Sequence, residues 1–318
     1  MNAVTLACAA NALYIVGFAI FKTTTGRMRR LTANHPVEVV GQVLGNARWL
    51  CALLVILAAL AMDCAAFTEL PLAATLPVAA SCSLLVPLIA FAVFGERYTA
   101  RELGVMAVIV VAMSALALPV VHQSTDFATL FPGHPGRPPI WKVAFYAAPA
   151  GLIPLVLFVG RDSIIGGRHA RRLTGVAYGI GAGVQLGAAL VSGVGIAALL
   201  RHDPAAAFAG PFPYIILIVG GLGLGLLQIA LQRCRMGIVV GVVSITSYLY
   251  LDVAGTFVYG QPGPHGGLMW GLRIGGLTLV LLGVLALPKH EAFGERDDDE
   301  RRPAAEYTGN HRRMLSTS

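Results

Sequence analysis

Residues 49–68 read Trp49-Leu50-Cys51-Ala52-Leu53-Leu54-Val55-Ile56-Leu57-Ala58-Ala59-Leu60-Ala61-Met62-Asp63-Cys64-Ala65-Ala66-Phe67-Thr68, with Asp63 the only charged side chain among them. A helix rises ~1.5 Å per residue and needs roughly 20 mostly apolar residues to cross a hydrocarbon core. This stretch supplies that length. Its residues do not alternate polar with apolar, as a barrel strand would require. Lipid offers the backbone no hydrogen-bond partner, so the polar groups of a crossing segment are satisfied within a helix.

Runs of the same kind recur along the chain. Spans are expected near 3–21, 49–68, 72–94, 103–121, 142–160, 173–200, 214–232, 237–260 and 269–287. The whole chain is 56% hydrophobic and only 12% charged, with mean hydropathy +0.73, which suits lipid as solvent and not water. The expected fold is therefore an all-α polytopic membrane protein with nine transmembrane helices. The sixth run is long, so it tilts or ends early, near Leu199.

The basic residues fall in alternate gaps. They are Lys22, Arg27, Arg29, Arg30 and Arg48 after the first span, Arg97 and Arg101 after the third, and Arg161, Arg168, Arg171 and Arg172 after the fifth. Arg233 and Arg235 follow the seventh, and the tail after the ninth is basic again. Only Arg137, Lys142, Arg201 and Arg273 depart from the pattern. Basic loops stay cytoplasmic, so the N-terminus is expected outside and the C-terminus inside, as an odd number of spans requires. The net charge of +7 is then a topology signal that draws anionic lipid headgroups, and no nucleic-acid partner is expected. Residues 1–21 lack a basic segment before the apolar run and are followed by one, which reads as a retained anchor rather than a cleaved signal.

Four regions are expected: a first transmembrane half over 1–121, an outer loop over 122–141, a second half over 142–287, and a disordered cytoplasmic tail over 288–318. The loop holds His122, Asp126 and a Pro/Gly-rich run, and the tail an acidic run from Glu295 to Glu300. Shifting the chain by 165 residues lays spans two and three over spans seven and eight without a gap. Phe94-Gly95-Glu96 then meets Tyr259-Gly260-Gln261, and Asp63 meets Gln228. The two turns lie on opposite sides, so the halves are expected to be inverted repeats. That is a recurring plan of alternating-access carriers, with the substrate site at the repeat interface.

An ionisable side chain inside a span costs at least ~2.5–3.5 kcal/mol and belongs against a cavity or a partner. Asp63 is the first candidate, and it sits in the outer half of its span. Asp252 is the second, with Tyr248 one turn earlier on the same face and Ser244, Thr246 and Ser247 preceding it. Gln228, Gln185 and Asn11 are single amides suited to bonding between helices. Glu69 stands at the outer mouth, where it would gather cations. Glu96 is expected to cap the following helix or pair locally. Gly179, Gly183 and Gly187, with Gly221, Gly225, Gly237 and Gly241, form small faces for close helix contact. Pro77, Pro87, Pro149 and Pro154 lie inside spans and mark kinks. Cys8, Cys51, Cys64, Cys82 and Cys234 include no Cys-x-x-Cys pair, and the eight histidines fall in loops or the tail without zinc-ligand spacing. No nucleotide-binding glycine pattern and no nucleophile triad is present, so neither an enzyme nor a cofactor is expected.

The segment Asp63-Cys64-Ala65-Ala66-Phe67-Thr68-Glu69-Leu70-Pro71-Leu72-Ala73-Ala74-Thr75-Leu76, continued at Phe94-Gly95-Glu96-Arg97-Tyr98-Thr99-Ala100-Arg101-Glu102-Leu103-Gly104, resembles the drug/metabolite transporter superfamily, in particular its NIPA-type magnesium transporter branch. The resemblance covers spans two to four; elsewhere the nine-span plan and the basic first inner loop agree. Asp63 stands where that branch has asparagine, Leu60 where it has an acid, and Gln261 where a glutamate is expected. One acid thus replaces another a turn along the same face. The resemblance implies a cation such as Mg²⁺ as cargo, with Asp63 the best candidate to meet it.

The sequence therefore leads to a secondary transporter of the plasma (inner) membrane that moves a small solute or cation by alternating access. Asp63, Asp252, Tyr248, Gln228 and Glu69 are its expected contacts, and a homo-oligomer is compatible with it. Two alternatives stand beside it: a proton-coupled metabolite or drug exporter, and a non-transporting membrane scaffold or assembly partner.

Overall fold

The computed structural model describes residues 2–26, 45–70, 72–118, 139–163, 170–201, 203–260 and 266–287. Outside them lie most of the expected outer loop, the tail, all the histidines, Pro71, Gln261, and Arg27, Arg29 and Arg30. The helices are α1 (Ala3–Thr25), α2 (Ala47–Phe67), α3 (Thr75–Phe94, entered through a 3₁₀ turn at Leu72–Ala74), α4 (Ala100–Ala117), α5 (Ile140–Ser163) and α6 (Ala170–Leu200). After them come the short α7 (Pro204–Ala209) and α8 (Phe212–Ile215), which passes through one π-helical turn (Ile216–Gly220) into α9 (Gly221–Arg233). α10 (Met236–Tyr259) and α11 (Gly267–Ala286) complete the order. The described residues contain no strand.

Among the described residues eight helical segments are long and apolar enough to cross a bilayer, and α5 carries a shorter apolar stretch, Trp141–Val156. The protein is an all-α polytopic membrane protein.

Local chemistry sets the helix ends. The Asn46 side chain accepts from the backbone N–H groups of Arg48 and Trp49 and starts α2. Thr99 and Glu102 form a reciprocal capping box at the start of α4. α3 and α10 both end on a glycine in the left-handed region, Gly95 at φ +65° and Gly260 at φ +60°, a conformation that a Cβ would strain.

α6 and α10 form the centre. In each, 78% of the apolar span is buried, against 22% for α11, which turns most of its surface to lipid. Glycines permit the central crossing. A Cβ on Gly183 would lie 2.6 Å from the Thr246 Cβ and 2.9 Å from the Val243 carbonyl oxygen, and one on Gly187 would lie 2.7 Å from the Ser247 carbonyl oxygen. These distances leave room for hydrogen only, as expected for the small face of α6. α9 differs from expectation. Gly221 and Gly225 face open space, and the close contact is made by Gly223 against Gln185 and Leu186 of α6. Gly241 is likewise open, while Gly237 lies under Tyr98. A fourth-residue repeat marks a stripe on a helix, but the rotation of the helix decides whether that stripe meets a neighbour.

α3 and α10 pack antiparallel. Glu96, just past the end of α3, reaches the start of α10 at Met236, and Leu72, just before α3, lies against Gly255 near the other end. α4 and α11 also run antiparallel, with Ile109 against Gly283 and Leu116 against Gly276.

Candidate functional site

Asp63 has no exposed surface. Its Oδ2 accepts a hydrogen bond from the Tyr248 hydroxyl of α10 at 2.7 Å, across 185 residues of chain. The same Tyr248 oxygen lies 3.2 Å from Oδ1 of Asn11 on α1, whose Nδ2 donates to the Ala7 carbonyl at 3.0 Å. Asp63 Oδ1 has no hydrogen-bond partner. Tyr14 of α1 and the adjacent Cys64 thiol lie within electrostatic reach of the carboxylate, and Phe67 packs edge-on against the Tyr248 ring at 6.4 Å.

The depth of this centre follows from helix geometry. Asp63 is only four residues from the end of α2, but side chains lean toward the N-terminus of their helix. The carboxylate thus points into the span. It meets Tyr248, which lies midway between Met236 and Tyr259, and Asn11, well inside α1. A shallow acid in contact with headgroup water is not what the fold presents.

Asp252 lies one helical turn from Tyr248, yet the two belong to different centres. Its Oδ2 accepts from Arg273 of α11 at 3.2 Å, and Arg273 also donates to Thr256 Oγ1 at 3.2 Å. Asp252 is 2% exposed and Arg273 13%. The expected joint lining by Asp252 and Tyr248 is therefore not formed. Tyr248 turns to α2, and Asp252 to α11. Gln228 is not joined to Asp63 either. It is buried on α9, and neither its Nε2 nor its Oε1 has a hydrogen-bond partner; Gln185 Oε1 is in the same state. Glu69 pairs with Arg201 at 3.3 Å, with both side chains half exposed.

Of the hydroxyl run before Tyr248, Ser247 is absorbed by the fold. Ser247 Oγ lies within bonding distance of Val243 O in its own helix and Gly183 O in α6. Tyr250 donates to the Tyr146 carbonyl of α5 and Tyr259 to the Val191 carbonyl of α6.

A second polar knot closes the end that carries Arg97, Arg101 and Arg235. Glu96 accepts from the backbone N–H groups of Met236 at 2.6 Å and Gly237 at 3.2 Å. It thus caps α10 rather than α4, whose cap is Thr99 with Glu102, while the expected local pairing is made with Tyr98. A carboxylate suits the unsatisfied donors and positive dipole end of α10. Tyr98 donates to Glu96 at 2.6 Å, and burial followed by the Glu96 carboxylate holds its phenol well above the ordinary range, so it stays a donor. Arg235 donates to the Arg97 carbonyl at 2.6 Å and to the Glu102 carboxylate. Lys22 of α1 donates to the carbonyls of Leu231 and Cys234 at 2.5 and 2.8 Å, and Gln232 donates to that of Thr25 at 3.2 Å. Apart from the Tyr98 bond, every one of these contacts from Glu96, Arg235, Lys22 and Gln232 joins residues before 118 to residues after 139.

Among the described residues no group of three or more His, Cys, Asp or Glu side chains is placed to hold a metal ion. Asn11 bonds between helices as its amide suggests, although nothing local singles it out as the partner of Tyr248. Arg273 stands in the sequence as an exception to the charge pattern, and an arginine inside an apolar run is itself a signal of a buried acid. No family model, curated protein or solved structure matches the chain.

Proposed function

We propose that this protein is a secondary carrier of the plasma (inner) membrane that moves a small solute or cation by alternating access, with Asp63 as the charge-bearing residue of its site. The observation that carries the reading is the Asp63 centre: a carboxylate with no exposed surface and, among the described residues, no basic partner, held between α2 of the first half and α10 of the second. A structural acid in a span is normally paired, whereas an unpaired one marks an ion or substrate path.

The arrangement of the helices supports two inverted halves. Gly95 and Gly260 are 165 residues apart, end α3 and α10 in the same left-handed conformation, and belong to helices that run antiparallel. The same shift carries α1 onto α6, α2 onto the span of α8 and α9, and α4 onto α11. Neighbours exchange as an inverted two-fold requires: α1 packs on α9 as α2 packs on α6, while α3 meets α10 and α4 meets α11. In this reading α5 is the extra crossing that inverts the second half, which completes nine spans with the N-terminus outside. The knot around Glu96 and Arg235 is then the closed cytoplasmic side of a carrier.

The resemblance of residues 63–104 to the drug/metabolite transporter superfamily points the same way. Magnesium is the weaker cargo for this site. Mg²⁺ keeps several waters and needs room for them, and Asp63 offers one carboxylate without exposed surface.

The test is flux into liposomes that hold the purified full chain, with Mg²⁺ and a panel of small metabolites as probes. Uptake above that of empty vesicles, lost in Asp63→Asn, is expected. Vesicles no more permeable than empty ones to every probe would leave the scaffold reading in its place.

A further inference from the structure

We infer that the species exchanged at Asp63 is a single proton, and that in the conformation described here the site is a neutral relay running Asp63 O–H to Tyr248 O–H to Asn11 Oδ1. The inference deepens the carrier reading, on which its coupling role rests; the occupancy of the site itself stands on the local geometry.

The argument is a count of hydrogens. The Tyr248 hydroxyl has one hydrogen and two acceptors within reach, Asp63 Oδ2 at 2.7 Å and Asn11 Oδ1 at 3.2 Å. Turning the Asn11 amide over to present Nδ2 to Tyr248 would set Oδ1 against the Ala7 carbonyl oxygen that Nδ2 now serves. If Asp63 is ionised, the Tyr248 hydrogen goes to it. Asn11 Oδ1 then faces the Tyr248 oxygen with no hydrogen between them, and the unpartnered Asp63 Oδ1 bears charge in an apolar surround. One added proton resolves all of this. It binds Asp63 Oδ2 and is donated to the Tyr248 oxygen, and the Tyr248 hydrogen swings to Asn11 Oδ1. What remains unpartnered is one neutral carbonyl oxygen, a much smaller penalty than a bare charge.

Among the described residues nothing else nearby can neutralise the carboxylate. Facing it are Asn11 and Tyr14 from α1, Cys64 beside it on α2 and Tyr248 from α10, all uncharged. α6, which meets α2 where Gly193 lies against Cys64, has no charged residue from Val176 to Leu200, and α3 has none at all. The other charged residues of α1, α2 and α10 are Lys22, Arg48 and Asp252. Lys22 is committed to the carbonyls of Leu231 and Cys234, Asp252 to Arg273, and Arg48 stands at the far end of α2. A divalent ion would instead bring two charges to one carboxylate, and no group of three or more His, Cys, Asp or Glu among the described residues is placed to hold it.

Loss of the proton reverses the relay. Asp63 O–H releases its proton to the path, the carboxylate draws the Tyr248 hydrogen back, and Asn11 Oδ1 loses its donor. Protonation at α2 thereby decides whether Tyr248 of α10 is bonded to α1 as well as to α2.

Infrared difference spectroscopy of the full chain in lipid vesicles, across a pH series, tests this directly. The expected result is a protonated-carboxyl C=O band that fades as pH rises, is absent in Asp63→Asn, and shifts in frequency without vanishing in Tyr248→Phe. Adding Mg²⁺ at fixed pH should leave it unchanged. A wild-type spectrum that shows carboxylate alone across the series, or loss of the band on adding Mg²⁺, overturns the proton assignment. If Asp63→Asn does not fold, the Tyr248→Phe shift carries the assignment alone, and an unshifted band overturns it. The spectrum does not depend on turnover. A band without flux in the liposome assay removes the carrier reading and leaves the proton site, whereas flux without a band does the reverse.

Discussion

Asp63 and Asp252 are both aspartates buried in apolar helices, in the half of the molecule away from the basic loops, and the fold treats them in opposite ways. Asp252 has Arg273 across from it at 3.2 Å, with Thr256 sharing the guanidinium. Its charge is answered, and the pair ties α10 to α11. Asp63 meets a phenol and, through it, an amide, and no cation. An answered charge in a membrane fixes two helices to each other. An unanswered one costs free energy unless something arrives to neutralise it, so it is the centre that can change state.

The largest expected effect separates the two by function. Asp63→Asn keeps the shape of the side chain and an oxygen to accept from Tyr248. It should leave the protein folded while reducing flux to the level of empty vesicles. Full flux in this variant would remove Asp63 from the mechanism and break the contrast.

The next separates them by stability. Asp252→Asn leaves a buried guanidinium without its carboxylate and should cost about 3–5 kcal/mol, read as a lower unfolding midpoint in detergent. Replacing both partners together, Asp252→Leu with Arg273→Met, should recover most of that loss. If the single and double variants unfold alike, the pair is not what joins α10 to α11.

A third sharpens the contrast by asking what the Asp63 centre is closed against. Glu96→Ala leaves the first two N–H groups of α10 unmet, at about 1–3 kcal/mol, and loosens the basic end. The expected readout is faster reaction of Cys234, at the end of α9, with a polar thiol reagent added from the side that carries Arg97, Arg101 and Arg235. An unchanged rate would make the knot a static buttress.

Tyr248→Phe removes one hydroxyl and should cost about 1 kcal/mol with a partial loss of flux. Smallest of all is Glu69→Ala. Its ion pair with Arg201 is half exposed on both sides, and such pairs contribute roughly 0–1 kcal/mol. A large loss of flux there would show that the outer mouth, and not the buried acid, selects what enters.

Much of this was legible in the chain. Length and apolarity placed the helices within a few residues, because crossing a bilayer is a demand on local composition. The tight backbone approach of α6 was visible at Gly183 and Gly187 for a similar reason, since a Cβ there would stand 2.9 and 2.7 Å from carbonyl oxygens of α10. The same signal misled in α9, where Gly221 and Gly225 proved open and Gly223 made the contact. Glu96 was legible in part. Its local partner, Tyr98, is two residues away, but the helix start it caps is 140 residues away.

The sequence by itself determined that this is a multi-pass helical membrane protein, where its helices lie, and that Asp63 and Asp252 are acids which apolar surroundings cannot leave unattended. Those are properties of short segments read against the solvent around them. Only the tertiary structure decided that Arg273 answers one acid while Asn11 and Tyr248 meet the other, and that Glu96 joins the end of α3 to the start of α10. Each of those outcomes depends on how far a helix is rotated about its axis when it packs. Side chains from distant spans set that rotation together, and no single span encodes it.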